Sequence, residues 1–234
     1  LGPSINVHRV ARGGRNFEYL SGEDPYLGAR LTERYVQGVQ SNGVLSVAKH
    51  FAFNNQETNR NWEVSIVDEK TRWEIYYPPF EAGINAGASG VMCSYNRVGG
   101  AFSCEHEPTL KADLKGAMGF HGFVQSDWDA THSTSAAQGL DMEMPMSENA
   151  DAPPYYFDAS RLAKLPAEVV DDAAERILAA MARMGLLHNG SDAGVAHRCD
   201  PPAEACLRTD VASDAHARLA RSSAAASIVL LQND

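Results

Sequence analysis

Three short apolar runs, each cut off abruptly by polar residues, constrain this chain more than any other feature. Gly122-Phe123-Val124-Gln125 stops at Ser126-Asp127-Trp128-Asp129. Val44-Leu45-Ser46-Val47-Ala48 runs into Lys49-His50, and Gly90-Val91-Met92-Cys93-Ser94 runs into Tyr95-Asn96. Such runs read as buried strands, and a helical pattern separates each from the next. Leu27, Leu31, Tyr35 and Val39 recur at helical spacing as one apolar stripe. A second helix is expected between Glu69 and Ala86, broken or kinked at Pro78-Pro79. Strands alternating with helices imply an α/β fold with parallel pairing and right-handed crossovers. Ile5-Asn6-Val7-His8 and Leu140-Asp141-Met142-Glu143-Met144 are expected as further strands. Pattern alone leaves a closed barrel and an open sheet equally available.

In α/β barrels the ends of parallel strands floor the active site, so a carboxylate at such an end is a candidate catalyst. Asp127 has that position, and Trp128 adds a flat apolar face for a ring-shaped ligand. The competing role for Asp127 is the N-cap of a helix beginning near Asp129. Recurrence of the same design at Lys49-His50 and Tyr95-Asn96 favours the site.

Composition removes several classes. A formal charge of -10 argues against a nucleic-acid partner, whose phosphates would be repelled. No apolar run approaches the ~20 residues of a membrane-spanning helix. With 234 residues and 44% hydrophobic content, the chain can bury a full core. Cys93 and Cys104, like Cys199 and Cys206, are spaced for two local disulfides, with free thiols the alternative. Disulfides would favour an exported protein, extracellular or periplasmic. No zinc-type pattern of His and Cys and no phosphate-cradling glycine loop is present.

Several separated motifs, in order, resemble glycoside hydrolase family 3, the β-glucosidase-like enzymes. They are Gly14-Arg15-Asn16-Phe17-Glu18-Tyr19 with Glu23-Asp24-Pro25, and Ala48-Lys49-His50-Phe51 with Asn55, Glu57, Thr58 and Arg60. Val91-Met92-Cys93-Ser94-Tyr95-Asn96 and Gly122 to Trp128 follow, and Arg176-Ile177-Leu178 with Gly185-Leu186 is similar to the helix closing the family's first domain. A lone motif of this kind is weak; the ordered set is strong. The resemblance implies a partial (β/α)8 barrel of the TIM type over residues 1–188 and a linker over 189–212. It further implies the start of a C-terminal α/β sandwich domain over 213–234, whose first strand is Ser227 to Asp234.

The resemblance also implies a retaining, exo-acting β-glycosidase that releases glucose from β-glucosides or short β-glucans. Asp127 would be the nucleophile, and a nucleophile must stay ionised, which nearby cations promote. Arg15, Lys49, His50 and Arg60 would bind the sugar where cleavage occurs, Tyr95 would stand beside the nucleophile, and Met92 and Trp128 would wall the pocket. Asp129, Glu57 and Glu143 are left with supporting roles. The reaction needs no cofactor and no metal. The acid/base is expected on a glutamate of the second domain, outside the 234 residues, so that the chain reads as an internal fragment, inactive alone. A β-xylosidase and a non-catalytic sugar-binding homologue are the alternatives. Hexosaminidases of the family continue the Lys-His-Phe motif into a PGHG-like loop, whereas Phe51 here precedes Ala52-Phe53-Asn54-Asn55.

A long helix is expected from about Pro166 to Met184, with Gly185 placed to end it and Val170, Ile177, Met181 and Met184 facing the core. Ser213 to Ala226 is Ala-rich and helical in character. Asn189-Gly190-Ser191 fits the glycosylation sequon.

Overall fold

The computed structural model describes residues 1–144, 155–187, 208 and 210–233. The chain divides into two compact units, Leu1–Ala193 and Gly194–Asp234. In the first, β1 (Val47–Phe51), β3 (Gly90–Cys93) and β6 (Phe123–Gln125) form a parallel sheet in the order β1-β3-β6.

The two further strands expected from sequence are present only as single bridges at the edges of this sheet. Ser4 bridges Lys49 and Met142 bridges Gln125, both in parallel. Local hydrogen bonding explains why neither becomes a full ladder. Past Ile5, whose N–H bonds to the Lys49 carbonyl at 2.8 Å, the chain turns away and His8 bonds instead to Gly22. At the other edge the Asp141 carboxylate takes the Val124 N–H at 2.7 Å, so a side chain stands where a strand carbonyl would be. Five segments nevertheless lie side by side, all parallel.

β1 begins later than the apolar run suggests. Val44 is exposed, and the Ser46 N–H bonds to the Gln40 side chain, so these residues belong to the preceding loop. Lys49 and His50 lie within the strand rather than beyond its end.

α1 (Pro25–Gln40) starts with Pro25 at its first position and Asp24 accepting the Tyr26 N–H. Its buried positions are Gly28, Thr32 and Val36, whereas Leu27, Leu31 and Tyr35 are 48%, 41% and 43% exposed. The apolar stripe therefore has the right period but is one residue out of phase with the face that packs. Small residues explain the choice. A Cβ on Gly28 would collide with Ser21, and one on Gly83 would lie 3.1 Å from the Thr32 methyl. This lets α1 settle closely on α3.

The second helical region behaves as expected. α2 (Glu69–Thr71) is capped by Asp68 and passes through a π-helical stretch, Arg72–Tyr76, before α3 (Pro78–Asn85) restarts beyond Tyr77. Further π-helical turns cover Pro108–Ala117, and α4 (Ala159–Leu162) and α5 (Ala167–Arg183) follow. α5 ends at Met184, with Gly185 at φ 69°. Its buried residues are Ala173 and Ala180, while Val170, Ile177, Met181 and Met184 are half-buried at the margin.

Side chains of the strands alternate between two apolar clusters, as pleating requires. Ala48, Val91, Cys93 and Val124 pack with Phe51, Tyr77, Phe80, Leu110 and Leu114 on the helix side. Val47, Met92 and Phe123 pack with Ala180 and, at the margin, Met142 and Ile177. β1 breaks the alternation: Ala48 and Phe51 share the helix side although three residues apart, and the register against β3 slips between Lys49 and Phe51. One extra residue in the strand thus frees two successive polar side chains, Lys49 and His50, from the helix side.

A second, small sheet joins β2 (Val64–Ser65), β4 (Arg97–Val98) and β5 (Ala101–Phe102). Cys93 and Cys104 form a disulfide that ties the end of β3 to the turn Ser103–Glu105. No helix among the described residues is long and apolar enough to cross a membrane.

In the second unit α6 (Asp214–Ser227) forms where the Ala-rich pattern places it, with Ser213 capping the His216 N–H at 3.1 Å. The expected strand Ser227 to Asp234 does not form among the described residues: Ser227 ends α6, and Ile228 is extended but belongs to no strand, with Ile228, Val229, Leu230 and Leu231 exposed. The sequon, Cys199 and Cys206 lie outside the described residues, as does nearly all of the expected linker 189–212.

Candidate active site

Asp127 lies two residues past the end of β6 and is 7% exposed. No helix starts at Asp129, so Asp127 caps none; its Oδ1 instead accepts the N–H of Trp128 at 2.8 Å. His50 Nε2 lies 3.2 Å from Oδ2, and the Tyr95 hydroxyl is near enough to favour the ionised carboxylate. Burial alone would raise the Asp127 pKa, but His50, Trp128 and Tyr95 outweigh it and hold the carboxyl below its ordinary value. The carboxylate is ionised at neutral pH.

His50 shifts the other way from a surface-paired histidine. Burial lowers its pKa, Asp127 pulls it up, and Arg15 and Lys49 push it down, leaving it below the ordinary value. A neutral imidazole therefore faces an ionised carboxylate. Burial, followed by the nearby Asp127 charge, raises Tyr95, which stays protonated and able to donate.

The backbone of His50 is fixed from across the sheet edge. Asn6 Oδ1 accepts the His50 N–H at 2.7 Å, and Asn6 Nδ2 donates to the His50 carbonyl at 2.9 Å. The register slip removes His50 from the strand ladder, and one amide side chain supplies both lost partners. The ring is held by Tyr19, whose hydroxyl is 3.1 Å from His50 Nδ1 and 3.0 Å from the Asn54 carbonyl. Arg15, 5% exposed, donates from Nε to that hydroxyl at 2.8 Å. Its remaining nitrogens pair with Glu57 at 2.7 Å and Glu18 at 2.6 Å.

The structure thus brings His50 into contact with Asp127 and Tyr95 close to the carboxylate. Arg60 joins them by lying over the Tyr95 ring at 4.4 Å, with Glu57 as its acid partner at 3.4 Å. Lys49 acts on His50 through charge. Met92 is fully buried in the cluster of Val47, Phe123 and Ala180; it pairs with Lys49 and Gln125 in register, and Gln125 is two residues before Asp127 on the same face. Trp128 is 40% exposed. Arg15 reaches Asp127 only through Tyr19 and His50.

Supporting roles for the other acids follow from their contacts. Glu57 links Arg15 to Arg60. Glu143 accepts the N–H groups of Tyr156 and Phe157. Asp129 has φ 65°, and its pKa is raised by burial and then by Asp127. The polar lining is incompletely satisfied by protein: both amide atoms of Asn54, Gln125 Nε2 and Asp129 Oδ1 are buried without a partner among the described residues. Such groups are completed by water or a polar ligand.

A cleft of about 340 Å³ opens on the flank of this cluster beside His8, Gly13, Asn55, Glu63 and Tyr76; Asp127 is not among its walls. Among the described residues no group of three or more His, Cys, Asp or Glu is placed to hold a metal ion. Asn6, Tyr19 and Asn54 are the site residues that motif reading passes over. A lone amide in the middle of the apolar run Ile5 to Val7 was the available signal for Asn6.

Comparison with known proteins identifies the family. The pattern described as "Glycosyl hydrolase family 3 N terminal domain" matches residues 1–180. The probable beta-glucosidase L of Emericella nidulans is 39% identical over 249 residues, covering 100% of this chain and 32% of its own. Among solved structures, DesR, a beta-glucosidase from Streptomyces venezuelae in complex with D-glucose, has a TM-score of 0.76 and 39% identity. It covers 81% of this chain and 26% of its own. The Bifidobacterium adolescentis GH3 beta-glucosidase has a TM-score of 0.77 and 34% identity over 100% of this chain and 32% of its own. The chain spans about a third or less of the length of these relatives. With the match running through most of its length, the chain belongs to glycosyl hydrolase family 3.

Proposed function

We propose that this chain carries the nucleophile and the sugar-binding groups of a retaining, exo-acting β-glucosidase. The observation that carries the reading is Asp127: a buried carboxylate at the end of a parallel strand, kept ionised by His50, Trp128 and Tyr95. In the proposed reaction Asp127 attacks the anomeric carbon, the bond to the aglycone oxygen breaks, and that oxygen takes a proton from a carboxylic acid. Water then cleaves the glycosyl ester. A retaining pair stands roughly 5–5.5 Å apart across the bond. The acid is proposed on a second, α/β sandwich domain outside these 234 residues, since the relatives are some three times longer.

Lys49, His50 and Arg60 are proposed to donate to sugar hydroxyls, with Trp128 and Met92 as apolar walls. Arg15 retains N–H groups on Nη1 and Nη2 beyond its three protein bonds, so a sugar contact is compatible with its burial. The five parallel segments support a proposed (β/α)8 barrel that further strands would close.

The test is hydrolysis of an aryl β-glucoside by the full-length protein, with the first-formed sugar anomer read by NMR. The β-anomer is expected. The α-anomer would contradict the retaining mechanism, and binding of glucose without turnover would make the protein a sugar-binding homologue.

A further inference from the structure

The contacts around Tyr19 raise a question of proton accounting. Its hydroxyl has one hydrogen. It accepts from Arg15 Nε at 2.8 Å and has two groups competing for that hydrogen, the Asn54 carbonyl at 3.0 Å and His50 Nδ1 at 3.1 Å. Both competitors are buried, as is Tyr19 itself at 5% exposure. If the hydroxyl donates to Asn54, Nδ1 must carry a proton to bond with it. Nε2, facing the Asp127 carboxylate, must then also carry one, and the ring is cationic. If the hydroxyl donates to Nδ1, the ring is neutral and its single proton is on Nε2, pointing at Asp127.

We infer that Tyr19 is a positioning residue of the active site: by donating to Nδ1 it holds neutral His50 in the tautomer whose Nε2–H hydrogen-bonds Asp127. The inference rests on the reading of Asp127 as nucleophile and adds to it the group that secures one of its donors. The surroundings favour the neutral branch. Arg15 and Lys49 both bear on His50 as cations, and Asp127 is the opposing charge. Glu18 and Glu57 are each bonded to Arg15, Arg60 lies over Tyr95, and Tyr95 and Asp129 both lie near Asp127. Arg15 gains a role through the same geometry. Its Nε–H occupies one acceptor site of the hydroxyl and thereby directs the remaining hydrogen toward the two competitors. Without the hydroxyl, buried Nδ1 loses its hydrogen-bond partner, and the Asp127 carboxylate alone is left to bias the tautomer and hold the ring.

The experiment is a double-mutant cycle in the full-length protein, using Tyr19→Phe, His50→Ala and the pair, with kcat/KM for an aryl β-glucoside measured across pH. Tyr19→Phe is expected to lower kcat/KM about tenfold, the scale of one buried hydrogen bond, and to move the acidic limb to higher pH as Asp127 loses its donor. In the His50→Ala background the same change should cost less than about twofold, because Tyr19 acts through the ring. Equal losses in both backgrounds with an unmoved limb would overturn the inference. A second measurement needs no variant fold: 15N spectra of the histidine rings in the unmutated protein, with His50 assigned by through-bond correlation to its backbone. A neutral ring protonated on Nε2 supports the inference, and protonation on Nδ1 overturns it. These spectra also separate the two ideas. If a 2-deoxy-2-fluoroglucoside fails to label Asp127, the nucleophile reading falls, while the ring spectra still decide the role of Tyr19.

Discussion

On the helix side of β1, β3 and β6, Ala48, Val91 and Val124 meet Phe51, Tyr77, Phe80 and Leu114, and burial is nearly complete. At and beyond the carboxyl ends of the same strands, burial is almost as deep, yet the side chains are Arg15, His50, Asn54, Ser94, Asn96 and Asp127. The first region gains its stability by removing apolar surface from water. The second gains little, because ions and amides must give up hydration before they bond to one another. Equal burial therefore means different things a few residues apart. A chain that maximised stability alone would not place Asp127, His50, Tyr19 and Arg15 in one buried network.

The comparison can be broken by substitutions that separate activity from stability. Asp127→Ala in the full-length protein should cut turnover at least ~10³-fold, about 4 kcal/mol of barrier, with little loss of thermal stability. A loss within tenfold would return Asp127 to the structural residues. Phe80→Ala should do the reverse, costing about 3–5 kcal/mol in urea unfolding by leaving a cavity beside Phe51 and Tyr77. A cost below about 1 kcal/mol would mean that the helix side is less tightly packed than its burial indicates. Cys104→Ser should cost about 2–3 kcal/mol, since the disulfide closes a loop of only 11 residues separation.

Lys49→Ala and His50→Ala should each lower kcat/KM by roughly ten- to a hundredfold, about 1.4–2.8 kcal/mol. Unchanged constants for both would place the pair outside the sugar pocket. The smallest expected effect is on stability against pH. Burial lowers the pKa values of His8, His50, His106 and His132. As pH falls through the unfolded value of about 6.5, the unfolded chain binds protons that the folded one refuses, so stability drops. Asp127, with its depressed pKa, adds to the loss at still lower pH as it protonates. Glu63, Glu81, Asp129 and Asp141, raised by burial, oppose this, so a melting temperature that rises as pH falls from 7 to 5 would show that they outweigh the buried histidines.

Much of this was legible in the sequence, and the failures share a cause. The strand runs of β3 and β6 and the proline break at Tyr77-Pro78 follow from local chemistry, as does α5 ending before Gly185, and these appear where the residues place them. The buried face of α1 was misplaced because apolar residues outvote glycine and threonine in a pattern. Close packing on α3 needs small residues, which only the partner helix reveals. The start of β1 and the shortened edge strands depended on side-chain hydrogen bonds from Gln40 and Asp141. Asp127 and His50 were visible from their motifs. Tyr19 and Asn6 were not singled out, because their importance lies in what they hold across 31 and 44 residues of chain.

The most direct test of the central claim, that Asp127 is the nucleophile within this polar network, is covalent trapping. The full-length protein would be incubated with an activated 2-deoxy-2-fluoro-β-glucoside, digested, and the labelled peptide sequenced by mass spectrometry. The account predicts one glycosyl ester, on Asp127, in the peptide spanning β6 and Trp128. A label on Glu57 or Asp129 with Asp127 untouched would contradict it.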